Sequence, residues 1–367
     1  MPRTQHPARR RAGRATDRPT DRATDRVTDR VTDLEDLRRV AFGAAYRMLG
    51  SVTEAEDVAQ EAMLRVAPVG AVDAAVVNPA AYTTTVATRI ALDVLRSARV
   101  RRESYVGEWV PEPLVGDVVA AGSAGREAAA HAELADDLST AFLVLLETLT
   151  PAERAAFLLH DVFGYPHRES ARVIGTTELA ARQLASRARR RVAARRDSEA
   201  PPTDTPAARG DDPHAAELVR RFIAATELGD VDALVALLAD DVALTGDSGG
   251  NVPTGLAVSR PVSGNVAVAR LLSGFARRGA PARIEATVVN GGPGLIAYAD
   301  DSVGGGVIGT YSLRISGGRI TRIDGVINPD KLRHLAPLAD LEAVAAEIRA
   351  AGRRRRDAQA PDAPPSP

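Results

Sequence analysis

Residues 176–191 of the chain read "TTELAARQLASRARRR". At about 100 degrees per residue, this stretch divides into two faces. One face carries small and apolar side chains, which are Ala180, Ala181, Leu184, Ala188 and Val192. The other carries polar side chains, which are Arg182, Gln183, Ser186, Arg189 and Arg190. The pattern predicts a helix that buries one face and presents long hydrogen-bonding side chains on the other.

The residues before this helix predict a helix-turn-helix. "LTPAER" at 149–154 predicts a capping box, with Thr150 as N-cap, Pro151 at the first position and Glu153 closing it. "FGYP" then breaks that helix, and "HRESARVI" forms a short helix that ends at Gly175. Residues 166–196 hold nine arginines and two acids, whereas a merely solvated face mixes both signs. Arginine pairs with guanine and glutamine with adenine, so this unit is predicted to contact DNA.

The composition limits the other function classes. The 367 residues are enough for two or three domains, and the absence of cysteine excludes a disulfide framework and thiolate chemistry. The net charge is −1, so affinity for nucleic acid must come from local clusters. Of 47 basic residues only Lys331 is lysine, so arginine is the default cation here and its mere presence means little. Without a secretory signal or a membrane-length apolar run, we expect a cytoplasmic protein with no membrane contact.

The N-terminal part is predicted to be helical after a tail. Residues 15–33 repeat a four-residue, charge-balanced unit and predict a disordered tail, with a helix of alternating charge as the alternative. A helix follows and stops at Gly50. "TEAE" at 53–56 predicts a capping box with Thr53 as N-cap and Glu56 reaching back, opening a helix with an acidic outer face. "NP" at 78–79 starts a third helix whose second half is basic.

Two interruptions separate further modules. Residues 104–132 predict an extended linker that contains "WVPEP" and the only tryptophan, Trp109, which is expected to dock because an exposed indole is costly. Residues 197–212 form a Pro-rich linker, after which Asp212 and Pro213 cap a new helix. Four strand candidates follow, "ARIEATVVN", "GLIAYAD", "VIGTYSLRIS" and "RITRIDGVI". Helices followed by a meander of strands predict an α+β domain with a curved sheet, and a helix at about 337–352 precedes a disordered tail.

Three stretches carry a family resemblance. Residues 46–66 ("YRMLGSVTEAEDVAQEAMLRV"), 78–113 and 149–192 resemble bacterial extracytoplasmic-function sigma factors, and the remainder resembles a SnoaL-like domain of the NTF2-like cone fold. The expected fold is therefore multidomain, with two all-α sigma modules and an α+β NTF2-like domain. The expected boundaries are a tail at 1–33, region 2 at 34–103, a linker at 104–132, region 4 at 133–196, a linker at 197–212, the NTF2-like domain at 213–335, and a helix and tail at 336–367.

The resemblance implies a promoter-recognition subunit and assigns its residues in four groups. The core polymerase, through its β′ clamp helices, is expected to meet Glu54, Glu56, Asp57, Gln60 and Glu61. The minus-ten element is expected to meet Asn78, Tyr82, Thr85, Arg89 and Arg96. The minus-thirty-five element is expected to meet Arg182, Gln183, Ser186, Arg187 and Arg190. Interdomain regulation is expected to use Trp109, Asp247, Gly249, Gly250, Asn328, Pro329, Asp330, Lys331 and Leu332.

The remaining expectations concern partners and departures from the family. The polymerase β flap and promoter DNA are further implied partners, a small-molecule ligand in the C-terminal domain is left open, and no cofactor, metal or catalytic residue is implied. Ser170 replaces an apolar residue, which predicts looser packing inside the helix-turn-helix. Ser248 stands where a glycine is usual in "DSGG", which predicts backbone strain if that position needs a positive φ.

Two alternatives come from other function classes. The C-terminal domain resembles folds that bind or turn over small molecules, so the chain is alternatively a ligand-sensing regulator or a SnoaL-like enzyme. Asp247 or Asp324 would then be the base, although His214 and His334 both lie near the ends of that domain. A generic one-component transcription factor would share the helix-turn-helix, but it leaves the acidic helix and the third helix unexplained.

Overall fold

The computed structural model describes residues 19–72, 78–102, 105–116, 138–199, 208–258 and 260–359. Three helices form the N-terminal module, α1 (Pro19–Leu49), α2 (Val52–Val72) and α3 (Pro79–Arg102). Gly50, at φ 64°, ends α1 in the left-handed conformation that glycine tolerates. Asn78 caps α3, because its side chain accepts from the amide of Ala81 at 3.0 Å, as the sequence predicts.

The first helix begins earlier than the sequence predicts. The structure places residues 19–33 in α1, which is the alternating-charge helix that the sequence left as the alternative to a tail. Residues 20–33 contain neither glycine nor proline, and Pro19 at the first helical position is compatible with a helix start. The predicted tail at residues 1–18 lies outside the described residues.

The described part of the second module contains the following helices. They are α4 (Thr140–Glu147), α5 (Pro151–Phe157), α6 (His167–Ile174) and α7 (Glu178–Glu199), and a π-helical turn at Leu158–Val162 extends α5. The predicted capping box at Thr150 and Glu153 is present, and Gly175 turns between α6 and α7 at φ 79°. The predicted helix-turn-helix is therefore confirmed. Ser170 is fully buried and its hydroxyl donates to the Pro166 carbonyl at 3.3 Å, so the expected loosening is absent.

The two helical modules share one apolar core. Its buried side chains come from α1, α2 and α3 as well as from α4, α5, α6 and α7. Arg154 of α5 crosses this boundary, because it donates to the Met48 carbonyl at 2.8 Å and pairs with Glu147 at 2.7 Å while remaining 3% exposed. A buried guanidinium held by a carbonyl and a carboxylate joins the modules specifically.

The C-terminal domain packs helices onto a six-stranded sheet in the order β2-β1-β6-β5-β4-β3. The strands are β1 (Leu238–Asp247), β2 (Val262–Ser263), β3 (Ala282–Val289), β4 (Gly292–Ala299), β5 (Val307–Ser316) and β6 (Arg319–Val326). The helices are α8 (Pro213–Leu228), α9 (Val231–Leu237), α10 (Asn265–Arg277), α11 (Pro329–Leu332) and α12 (Leu341–Gln359). All four predicted strands are present as β3 to β6, and Asp212 caps α8 as predicted.

Three parts of this domain were not predicted. Strand β1 pairs with β6 in parallel, which brings Asp247 beside Val326, and α10 covers the sheet. Helix α12 starts at Leu341 rather than near 337, and its Leu341, Val344 and Ala345 pack with Leu256 and Ile327. The last helix is therefore part of the domain, while the predicted tail at 360–367 lies outside the described residues.

Candidate functional site

A buried carboxylate at the end of β1 gathers the linker onto the C-terminal domain. Asp247 is fully buried. Its side chain accepts from the Val110 amide at 2.8 Å, the Gly249 amide at 3.1 Å and the Tyr105 hydroxyl. Lys331 donates to the same carboxylate at 2.7 Å. A buried charge is stable only with such partners. We call the group Asp247, Gly249, Asn328 and Lys331 the linker seat.

Lys331, the only lysine, is enclosed by the linker. Its ammonium lies 4.3 Å from the ring centroid of Trp109 and 4.9 Å from that of Tyr105, within cation–π range. It also donates to the Val110 carbonyl. Burial lowers the pKa of Lys331, and the charge of Asp247 opposes that shift. A compact ammonium suits this enclosure better than a planar guanidinium does.

Asn328 completes the linker seat from the start of α11. Its side-chain oxygen caps the helix by accepting from the Asp330 amide at 3.1 Å, and its amide nitrogen donates to the Tyr105 hydroxyl at 3.0 Å. Burial and the bond to Asp247 raise the pKa of Tyr105, so the phenol stays protonated. The backbone amides of Ile327 and Asn328 donate to the Asp247 carbonyl at 2.9 and 3.1 Å. These bonds fix β1 and α11 together.

The glycine-rich loop of the linker seat is not strained at serine. Gly249 and Gly250 have φ values of 59° and 78°, and among the described residues the one non-glycine with positive φ is Asn290. The predicted strain at Ser248 is therefore wrong, because the left-handed positions fall on the two glycines. A Cβ at Gly249 would overlap the Asn328 side chain, and one at Gly250 would lie 3.2 Å from Val106. Both glycines permit close approach as well as the turn.

The middle of the linker caps α2. Glu112 accepts from the amides of Val52 at 2.7 Å and Thr53 at 3.2 Å and from the Ser51 hydroxyl at 2.8 Å. The Ser51 hydroxyl accepts in turn from the Glu54 amide at 3.2 Å. The predicted cap at Thr53 is therefore wrong, because the free amides of this helix start are satisfied by Ser51 and by a distant carboxylate.

The end of the linker is held by the turn between β3 and β4. The side-chain oxygen of Asn290 accepts from the Leu114 amide at 2.7 Å, and the Asn290 amide donates to the Leu114 carbonyl at 2.8 Å. The Tyr46 hydroxyl of α1 donates to the Glu112 carbonyl. His334 contacts the Pro113 carbonyl at 2.7 Å. Residues 105–116 are therefore held between the helical modules and the C-terminal domain.

The predicted interdomain residues do come together. Trp109 packs against Gly50, where a Cβ would collide with its ring. Leu332 is buried with Val110 and Val326, and Pro329 occupies the first position of α11. Asp330 accepts from Asn251 at 3.3 Å. Sequence reasoning did not assign an interdomain contact to four residues that belong to the linker or touch it, which are Tyr105, Glu112, Asn290 and His334. Of these, only Asn290 carried a local signal, because it begins an Asn-Gly pair after a strand.

The outer face of α2 is acidic and open. Glu56, Asp57, Gln60 and Glu61 are exposed and Glu54 is half-buried, while Val58, Ala62 and Val66 are buried. Leu64 lies on the exposed side with 71% of its surface accessible, and Glu61 pairs with Arg65. This face of α2 is therefore accessible to a partner.

The minus-ten candidates on α3 differ in exposure. Tyr82 is 37% exposed, Asn78 is exposed and Thr85 is half-buried. Arg89 donates to the Arg172 carbonyl at 2.8 Å, and Arg96 donates to the Ile174 carbonyl at 3.4 Å. Both guanidiniums therefore contact the end of α6. Tyr165 adds a bond from its hydroxyl to the Ala81 carbonyl at 2.6 Å.

The minus-thirty-five candidates on α7 are largely open. Arg182, Gln183, Ser186 and Arg190 are exposed, and the buried side is formed by Ala181, Ala185, Ala188 and Val192. Arg187 pairs with the Glu153 carboxylate at 3.2 Å, as Arg191 does at 2.8 Å. Burial alone would raise the pKa of Glu153, but the bonds from Thr150 and the two arginines lower it. Arg187 is thereby oriented toward α5.

The two candidates for a catalytic base in the C-terminal domain, Asp247 and Asp324, are both buried and bonded to protein groups. Asp247 is enclosed as described above, and Asp324 is 5% exposed with both of its oxygens 2.9 Å from the Arg322 guanidinium. Among the described residues, no group of three or more side chains suits a metal ion. No helix in the described ranges is both long and apolar enough to span a bilayer.

Comparisons with known proteins agree with this architecture. Residues 34–101 match the family described as Sigma-70 region 2, and residues 139–192 match Sigma-70, region 4. The chain is 41% identical to the ECF RNA polymerase sigma factor SigJ of Mycobacterium tuberculosis, over 81% of this chain and 91% of the relative. It is 32% identical to the probable sigma factor SigI of that organism, over 78% and 89%. The crystal structure of SigJ matches with a TM-score of 0.61 at 35% identity, over 84% and 99%.

The chain therefore belongs to the extracytoplasmic-function RNA polymerase sigma factors. Its fold, two all-α sigma modules followed by an α+β domain with a six-stranded sheet, agrees with the architecture that the sequence predicts. A sigma factor works with core RNA polymerase and promoter DNA in transcription initiation, and this is the function of the chain.

Proposed function

We propose that the C-terminal domain regulates the sigma modules by holding the linker in the linker seat. The Lys331–Asp247 pair carries this proposal, because it is buried and both members bond to Val110 of the linker. The same linker caps α2 through Glu112. Occupation of the linker seat is thereby coupled to the helix that carries the acidic face.

The acidic face of α2 is the proposed contact for the β′ clamp helices of the polymerase. Glu56, Asp57, Gln60 and Glu61 supply charge and hydrogen-bond acceptors, and Leu64 supplies an exposed apolar anchor. Charge on the rim accelerates association, while an apolar side chain at the centre contributes affinity. The β flap is proposed to contact the helix-turn-helix module, by the family resemblance alone.

The promoter is proposed to contact α3 and α7. The exposed face of α7 suits direct reading in the major groove. Arg89 and Arg96 of α3 are bonded to α6 carbonyls in this conformation, so binding of the minus-ten element requires those bonds to exchange for DNA contacts. The described conformation is therefore the closed one, and the linker seat favours it.

Transcription in vitro tests this proposal. The full chain and Asp247→Asn are each combined with core polymerase on the promoter region upstream of the protein's own gene. The variant loses the charge that holds Lys331 and should raise transcript yield by releasing the linker. Asp240→Asn, at an exposed carboxylate of β1, is the matched control. Equal yields from Asp247→Asn and the unchanged chain, with both folded, would contradict the proposal.

The structure disfavours the enzymatic alternative and leaves an observation in favour of the ligand-sensing one. Asp247 and Asp324 are both occupied by protein partners, which disfavours either as a general base. A cavity beside α12 supports a ligand instead, and its residues are considered next.

A further inference from the structure

A cavity of about 420 Å³ lies between the last helix and the rest of the C-terminal domain. Its lining combines apolar and cationic side chains from three elements. The loop after β1 supplies Thr254, Gly255 and Leu256, and the end of α10 supplies Arg278. Helix α12 supplies Ala345, Ile348, Arg349, Gly352 and Arg353. The volume is in the range of small-molecule sites.

The cationic side of this cavity is uncompensated. Within the part of the chain whose side chains the structure describes, Arg278, Arg349 and Arg353 form no ion pair, and Arg349 and Arg353 are neighbours one turn apart on α12. Like charges at that spacing destabilise a helix. Arg354, directly after Arg353 in sequence, is by contrast paired with Glu347. Arg349 and Arg353 therefore bring two guanidiniums without an ion pair to the border of the cavity.

The floor of the cavity is apolar. Leu256 and Ala345 belong to a small core cluster, and Ile348 packs against it. Gly352 leaves one wall without a side chain, in a helix where glycine is less favourable than alanine. Arginines at the rim and aliphatic carbons beneath them complement a molecule that has an anionic head and an apolar body.

We propose that this cavity binds an organic anion with an aliphatic or aromatic body, whose carboxylate or sulfonate is held by Arg349, Arg353 and Arg278. The loop that supplies Leu256 also supplies Gly249 to the linker seat, and Leu256 packs in the same cluster as Ile327. Control of the linker by such a ligand rests on the proposed function, whereas binding itself does not.

Calorimetric titration of the full chain tests the binding, with octanoate as the probe and 1-octanol as its neutral counterpart. Octanoate should bind one to one and more tightly than 1-octanol. Arg349→Gln/Arg353→Gln should weaken octanoate binding about tenfold or more, because charge-assisted bonds are lost. Gly352→Leu should weaken both probes by filling the cavity. The matched control, Arg354→Gln, should bind octanoate as the unchanged chain does.

Three outcomes would overturn the proposal. They are the absence of octanoate binding, equal affinity for octanoate and 1-octanol, and an equal loss in Arg354→Gln and the double variant. Displacement of octanoate by duplex DNA at low concentration would also overturn it, because the arginines would then belong to a nucleic-acid surface. Thermal unfolding of each variant establishes that it is folded.

Discussion

Two helices carry the arginines proposed to contact promoter DNA, and the structure treats them differently. On α3, Arg89 and Arg96 donate to backbone carbonyls at the end of α6. On α7, Arg182 and Arg190 are exposed beside Gln183 and Ser186. All four guanidiniums are exposed, but those of Arg89 and Arg96 bond to a neighbouring helix, whereas Arg182 and Arg190 bond within α7 itself. On the proposed function, α3 meets the minus-ten element only when its bonds to α6 are exchanged for DNA contacts.

Further contacts outside α3 and α6 hold the modules and the linker together. Arg154 joins α5 to α1, and the linker seat holds residues 105–116 against both α1 and the C-terminal domain. Substitutions at these contacts can therefore change how the two modules are held together without altering any residue proposed to contact DNA.

The largest effect is expected from removing the charge of Lys331. Lys331→Met leaves Asp247 buried without its cation, which should lower the free energy of unfolding by about 3–5 kcal/mol. Denaturant titration measures the loss. Arg333→Met removes an exposed cation paired with Asp330 and should cost less than about 1 kcal/mol. Equal losses would mean that the linker seat contributes no more than a surface ion pair.

A smaller effect is expected at Gly249. Gly249→Ala and Gly317→Ala both place alanine at a φ near 58°, and nothing lies within 4 Å of the added Cβ at Gly317. Both should cost about 1 kcal/mol from the backbone. Gly249→Ala should cost about 1–3 kcal/mol more, because its methyl overlaps Asn328. Thermal unfolding distinguishes them, and identical costs would remove Asn328 from the account.

The proposed DNA-reading surface of α7 is tested with two arginine variants. Arg182→Ala should weaken promoter binding by holoenzyme by about 1–3 kcal/mol and relax base preference, since its side chain is exposed and its one ion pair, with Glu178, is a surface pair that DNA can displace. Arg187→Ala should instead lower stability, because Arg187 is directed at Glu153. Binding titrations on matched and mutated minus-thirty-five sequences measure the base preference of both variants, and thermal unfolding measures their stability. A larger loss of base preference in Arg187→Ala would reverse these assignments.

The smallest effect concerns pH at the turn before α6. Burial lowers the pKa of His167 below its ordinary 6.5, with further lowering from His160, whose ring centroid is 3.7 Å away. The unfolded chain therefore takes up the proton first, so stability is complete above about pH 6.5 and falls as the pH decreases through the lowered pKa. His167→Asn should flatten this part of the melting-temperature profile, and an unchanged profile would assign the effect elsewhere.

The exposed and buried faces of the helices could be predicted from the sequence, whereas the contacts of the linker could not. The reason is physical. The faces of α2 and α7 follow from spacings of three and four residues, which are local. Glu112 caps α2 from 60 residues away, and Asn290 holds Leu114 across 176 residues. No local pattern encodes such pairs. The motifs around Trp109, Asp247 and Lys331 pointed to an interdomain contact through family resemblance, but their chemical roles came from the structure.

The distance between α3 and α7 tests the closed conformation most directly. The chain has no cysteine, so spin labels react only with the two introduced ones, Ser97→Cys and Ala193→Cys. Both positions are exposed, the first on α3 and the second on α7. Pulsed electron resonance should give one narrow, short distance for the otherwise unchanged chain and a broad, longer distribution when Lys331→Met is added. The same narrow distribution in both proteins would contradict control of the sigma modules by the linker seat.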